Sequence, residues 1–151
     1  MKTLVVFYSR TGNTKKLAEF IAKELKADVD EICDEKDRRR KIVGWCIAGK
    51  DAMKKNLTKI KYKKNPREYD LVVLGTPIWV GTMTPAIRTY LKENKLKKVG
   101  FFCTCGSDSG KCFSEMQNLS KKPLAVFECK DKELEDSWGK VREFCKKLRN
   151  I

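Results

Sequence analysis

Residues 4–14 read Leu-Val-Val-Phe-Tyr-Ser-Arg-Thr-Gly-Asn-Thr. Leu4 to Tyr8 has the length and β-branched content of a strand buried on both faces, as strands of a parallel sheet are. Directly after the loop, Leu17, Phe20, Ile21 and Leu25 recur at the spacing of one helix face. A helix is therefore predicted over about 13–26, and residues 9–14 form a strand-to-helix loop. Such a junction commits the chain to an architecture in which helices cover a buried sheet.

The loop Ser9-Arg10-Thr11-Gly12-Asn13-Thr14 brings four hydroxyl or amide side chains, one guanidinium and a glycine to a helix N-terminus. A phosphate monoester is held by this kind of arrangement. Unpaired backbone N–H groups and the positive end of the helix dipole face it. Hydroxyls add donors without bulk, and Gly12 lets the backbone approach closely. The competing reading is an ordinary capped turn, since Asn and Thr are favoured N-cap residues. Ser, Thr, Asn and Thr within one short loop weigh toward phosphate. No GxxxxGK[ST] is present, and no GxGxxG follows this strand, so two other phosphate motifs are excluded.

Four more strands are predicted. Ala27–Cys33 is imperfect and half-polar, with Ala27 and Val29 alternating with Asp28 and Asp30, and belongs near a sheet edge. Asp70–Gly75 is the clearest central strand after the first. A fourth covers about 98–104, and a fifth Pro123–Cys129. Residues 36–60 read as a moderately helical stretch broken by Gly44 and Gly49, and Asn65-Pro66 as a turn. Thr84 and Pro85 read as the N-cap and first turn of a further helix. A weak helix is expected over about 111–119. Leu134, Trp138, Val141, Cys145 and Leu148 form the single apolar stripe of a last helix. Five strands alternating with helices predict an α/β fold in three layers, a five-stranded parallel sheet with helices on both faces. The 151 residues suit a single domain, 1–151.

Composition narrows the classes. No apolar run approaches a membrane span, and the N-terminal apolar stretch reads as strand rather than leader. Seven cysteines suggest cytosolic thiols, so a cytoplasmic location is expected. Cys33, Cys46, Cys129 and Cys145 read as inert and mostly buried. Cys103, Cys105 and Cys112 match no common zinc or iron–sulfur spacing, and histidine is absent, so no metal site is expected. Net charge is +14 and uneven: residues 36–67 hold thirteen lysines and arginines against Asp37 and Asp51. That stretch is either a solvated face or a docking face for acidic partners. Nucleic acid is the weaker reading.

Ligands of open parallel sheets bind beyond the carboxyl ends of the strands. Three loops are predicted to meet there, 9–14, 76–84 and 104–111. The second, Thr76-Pro77-Ile78-Trp79-Val80-Gly81, offers an exposed indole, Trp79, as a stacking surface for a flat heterocycle. The alternative is that Trp79 folds back into the core. The third, Cys105-Gly106-Ser107-Asp108-Ser109-Gly110-Lys111, is rich in small residues that expose backbone N–H groups. A receiver domain would need an acidic cluster after the first strand. A cysteine phosphatase would need a CxxxxxR phosphate cradle, and the only match in spacing, Cys33 to Arg39, is acidic inside.

Ser9–Thr14 resembles the phosphate loop of flavodoxin-like proteins, which bind flavin mononucleotide (FMN), and the two later loops resemble the family's flavin-contacting loops. The resemblance covers essentially the whole chain. It implies strand order 2-1-3-4-5 and FMN as cofactor, with Trp79 over one ring face. It also gives the Val80-Gly81 peptide a role. Protonation at flavin N5 turns an acceptor into a donor, and a neighbouring glycine peptide can present its carbonyl instead of its N–H. The family often has a tyrosine in the third loop that stacks on the second ring face. None stands here, so either Phe113 substitutes or that face stays open. Lys111 near N1 would favour a reduced, anionic ring; the alternative, slightly preferred, is a solvated loop lysine. The function implied is electron transfer as an FMN carrier, with an acidic redox protein such as a ferredoxin, or a redox enzyme, as partner. An NAD(P)H-dependent FMN reductase of quinone or flavin is the alternative. A flavin-free basic binding module is the third.

Overall fold

The computed structural model describes residues 1–36 and 57–150. Its framework is one parallel sheet. β1 (Thr3–Phe7) is buried along its whole length and pairs with β2 (Asp28–Glu31) on one side. A short hairpin follows, β3 (Cys33–Asp34) with β4 (Ile60–Lys61). β5 (Leu71–Pro77) pairs with the other side of β1, and β6 (Lys98–Cys105) and β7 (Val126–Lys130) extend the sheet outward. The order is β2-β1-β5-β6-β7, which is the expected 2-1-3-4-5 once the hairpin is set aside.

Helices α1 (Asn13–Leu25), α2 (Pro85–Glu93), α3 (Cys112–Leu119) and α4 (Trp138–Arg149) cover both faces. The period-2 alternation of the strands divides the core. Leu4, Val6, Val72, Leu74, Val99 and Phe101 face Ala86, Ile87 and Tyr90 of α2 and Met116 of α3. Val5, Phe7, Leu71, Val73 and Phe102 face Leu17 and Ile21 of α1 and Val141, Cys145 and Leu148 of α4. Each such side chain contributes about 1.5–3 kcal/mol on burial. The two layers are the main cohesion of the sheet, and they fix where its loops emerge.

The second strand differs from expectation. Asp30 is buried, whereas Asp28 and Val29 are both exposed. Asp30 points inward because its carboxylate accepts the N–H groups of Lys63 (2.9 Å) and Lys64 (2.6 Å). A tertiary partner thus overrides at Asp30 the polarity read from alternation, while Asp28 keeps it. Ile60, expected in a helix, is in β4; residues 37–56 of that helical stretch lie outside the described residues. Asn65-Pro66 does make a turn, a 3-10 segment at Pro66–Glu68 in which the Asn65 side chain accepts from the Arg67 N–H. Leu134 sits in a 3-10 turn, Asp131–Asp136, ahead of α4 rather than within it. Cys33 is exposed, whereas Cys129 and Cys145 are buried as expected.

Candidate functional site

The loops after β1, β5 and β6 meet at the carboxyl edge of the sheet around a cleft of about 380 Å³. Arg10 and Thr11 line it from the first loop, Pro77 to Gly81 from the second, and Thr104 to Asp108 from the third. The volume falls in the range of small-molecule sites.

The first loop is held by its own polar groups. Gly12 takes the N-cap of α1 at φ 105, a conformation that favours glycine. The Ser9 hydroxyl oxygen accepts from the N–H groups of Gly12 (3.1 Å) and Lys15 (3.2 Å). The Thr14 hydroxyl shares a 2.7 Å hydrogen bond with that of Thr104, tying α1 to β6. Asn13 Nδ2 donates to Asp131 Oδ1 at 3.2 Å. Three of the four polar side chains therefore serve the protein, and Thr11 is the one left exposed. Among the described residues, the backbone N–H groups of Thr11, Asn13 and Thr14 have no protein acceptor. That leaves a set of donors at the positive end of a helix.

The second loop is a two-residue turn. Val80 (φ 51) and Gly81 (φ 74) both have positive φ, as in a type I′ turn. Trp79 and Thr82 close it with reciprocal backbone bonds, 2.9 Å and 3.3 Å. Positive φ at a β-branched residue is an outlier that costs on the order of 1–3 kcal/mol. Val80 is nonetheless 61% exposed. Trp79 corrects an expectation: its indole is only 4% exposed and meets the Tyr8 ring edge-on at 5.6 Å. The tight turn folds the side chain back over Tyr8 and Met83 instead of leaving it in solvent. It lines the cleft from below the surface.

The third loop is clasped to the second. The Lys111 N–H donates to the Gly81 carbonyl at 2.8 Å. Gly110, at φ 53, lies against Gly81 so closely that a Cβ there would stand 2.4 Å from the Gly81 oxygen. The Gly110 N–H is taken by Asp108 Oδ1 (2.8 Å) and the Ser109 N–H by the Glu128 carboxylate. Ser109, Gly110 and Lys111 therefore brace the loop and do not line the cleft. Gly106, Ser107 and Asp108 do, and among the described residues the N–H groups of Ser107 and Asp108 have no protein acceptor. Phe113 packs against the core beside Met116 and does not reach the cleft. Thr76 is fully buried and supports the second loop, its hydroxyl oxygen accepting the Thr84 N–H at 3.1 Å.

Thr104 and Asp108 fall within the predicted 104–111 loop but carried no signal that singled them out, and sequence reasoning missed Asp131 altogether. Asp131 directly follows the last residue of β7, so the strand-end argument could have been extended to that loop. Asp131 is exposed as a residue, and partial desolvation of its carboxyl by the neighbouring loops holds it above its ordinary value, with the Asn13 hydrogen bond opposing. Cys105 also lines the cleft, and its thiol is pushed up to about 11 by burial. Cys103, Cys105 and Glu128 bring their ligand atoms within 4.8 Å of one another, a grouping created by the pairing of β6 with β7 and invisible in cysteine spacing. Burial raises the Cys103 thiol as well, against thiolate formation. Of the basic stretch, Lys36, Lys59, Lys61, Lys63 and Arg67 are described and exposed.

No helix among the described residues is long and apolar enough to cross a membrane. None of the curated proteins matches the chain. A flavoprotein of Lactobacillus acidophilus, solved in complex with FMN, is 26% identical; the match covers 91% of this chain and 98% of that one, with a TM-score of 0.68. A Bacteroides uniformis chain reaches a TM-score of 0.75 at 23% identity over 96% and 97% of the two chains. Megasphaera elsdenii flavodoxin superposes at 0.61 with 17% identity over 99% of each chain. These last two speak for the fold. The family profile described as flavodoxin matches residues 2–141, spanning the sheet and all three cleft loops, and so the chain belongs to the flavodoxin family.

Proposed function

We propose that the cleft binds FMN and that the protein acts in electron transfer. The observation that carries this is the meeting of three loops, one with unpartnered N–H donors at a helix start, around a single small-molecule-sized cleft. The donor set fits the cofactor. Thr11, with the N–H groups of Asn13 and Thr14, would take the phosphate. The turn at 78–81 and the backbone at 105–108 would flank the ring, the latter offering N–H groups to its polar edge. The related Lactobacillus flavoprotein was solved with FMN, which supports the reading. Bound there, FMN supplies the redox chemistry, and the chain supplies orientation and electrostatics.

Phe113 turns away, so no aromatic residue of the third loop covers the second ring face. That favours a second reading, a reductase in which a nicotinamide or quinone stacks on the open face. Visible spectra during stepwise reduction test the first reading. A protein that stays colourless with added FMN would end it. Steady-state NAD(P)H oxidation with a quinone separates carrier from reductase. The partner we propose is an acidic redox protein such as a ferredoxin, or a redox enzyme, drawn by the net charge of +14. The described cysteines are free thiols, in keeping with a cytoplasmic setting.

A further inference from the structure

Arg88 is a charged residue on the buried side of α2, only 5% exposed. Its Nη2 donates to Glu115 Oε2 of α3 at 2.7 Å and to the Thr82 hydroxyl oxygen at 3.2 Å. The Thr82 hydroxyl in turn donates to the same Glu115 oxygen. The Glu115 side chain is 13% exposed. Two helices and the closing residue of the Val80-Gly81 turn therefore converge on one carboxylate oxygen.

As mere glue, this arrangement is poor. Desolvating two charges offsets much of their attraction, and well-packed apolar side chains of similar volume hold helices together at least as well. What apolar side chains lack is direction, and here the direction leads to Thr82. Thr82 closes the turn through its two backbone bonds with Trp79, and the preceding residue, Gly81, presents the carbonyl that the Lys111 N–H grips. Between them Val80 sits at φ 51, a geometry that persists only where its surroundings over-determine it. α3 starts one residue after Lys111, so the same helix anchors both the clasp and the carboxylate.

We propose that Arg88 and Glu115 are positioning residues for the cleft. Their buried charge pair holds Thr82 and, through it, keeps the Val80-Gly81 turn in the strained form that makes one wall of the site. The consequence for flavin rests on the FMN reading above; the consequence for the turn rests on geometry alone.

The test uses the full chain without flavin and then with FMN. Glu115→Gln strands the Arg88 charge and endangers the fold, so two other variants decide. Arg88→Met/Glu115→Leu removes both charges and keeps the volume. Thr82→Val removes only the hydroxyl and leaves the pair intact. In the flavin-free protein, each is expected to speed amide hydrogen exchange at Thr82 and Lys111 about tenfold or more, a coupling typical of contacting residues. Exchange in the central strands β1 and β5 should stay as in wild type. FMN affinity should fall about tenfold in the same variants. Wild-type exchange at Thr82 and Lys111 in either folded variant would overturn the proposal and reduce the pair to helix packing. Should the wild-type chain fail to take up FMN, the flavin reading falls, and the flavin-free exchange comparison still decides the clamp.

Discussion

Replacing Gly110 with alanine is predicted to separate the second and third loops. The structure sets the size of the effect. At φ 53 an L-residue costs about 1–2 kcal/mol more than glycine. The new Cβ would stand 2.4 Å from the Gly81 oxygen and 2.9 Å from Gly81 Cα. Both are backbone atoms, so no rotamer change relieves the clash, and one loop must retreat by roughly an ångström to reach ordinary contact. The 2.8 Å bond from the Lys111 N–H to the Gly81 oxygen is then lost, for a further ~0.5–1.5 kcal/mol. Together these come to about 1.5–3.5 kcal/mol.

In a chain of 151 residues that corresponds to a fall in melting temperature of about 3–14 °C for the flavin-free protein. Where binding requires the clasp closed, FMN affinity falls by about 10- to 300-fold. Circular-dichroism melting and quenching of FMN fluorescence measure the two quantities. Gly106→Ala is the control. It lies in the same loop, has ordinary φ, and its Cβ would meet nothing within 4 Å. It should leave the melting temperature unchanged and weaken FMN only by occupying cleft space. Wild-type melting and wild-type affinity in Gly110→Ala would refute the clasp as drawn.

FMN should bind much more tightly than riboflavin, and Thr11→Ala should weaken FMN by about 1–2 kcal/mol while leaving riboflavin alone; equal affinities in the titration would remove the phosphate from the first loop. Trp79→Ala should destabilise the flavin-free protein by about 3–5 kcal/mol in urea melts, because the indole is a core residue; a cost near zero would return it to the surface. Asp131 is exposed but has its carboxyl raised by partial desolvation, so its contribution to stability, small because solvent screens it, is present below the unfolded value and is lost as pH rises through the folded one. Asp131→Asn should therefore gain slightly on wild type between acidic and neutral pH, and a stability difference independent of pH would count against that desolvation.

The sheet was legible because its signals are local. Leu4–Phe7 and Leu71–Gly75 are buried on both faces, and a strand so placed must read as an uninterrupted apolar run. The edge strand was legible in place but not in polarity. Nothing near Asp30 in the chain announces that it accepts from Lys63 and Lys64, more than thirty positions away. Ile60 was misread for a related reason: a two-residue strand shows no period, and its partner at Asp34 is supplied by the fold.

The cleft divides in the same way. Its loops were found because strand ends and glycines mark them in sequence. The direction of each side chain was not, because direction is decided across elements. Ser9 turns to cap α1, Thr14 turns to Thr104, and Trp79 turns to Tyr8, so the residues with the most suggestive chemistry are largely structural. What is left to meet a ligand is mostly backbone: N–H groups at 11, 13 and 14 and at 107 and 108. Backbone donors carry no residue signature. Their aim depends on how firmly the loops are held, and that control passes to residues the ligand never touches. Gly110 presses on Gly81, Glu128 holds Ser109, and the Arg88–Glu115 pair holds Thr82. A site of this kind should tolerate changes among its polar loop side chains better than changes among its braces. That inverts the ranking a reader of the sequence would give.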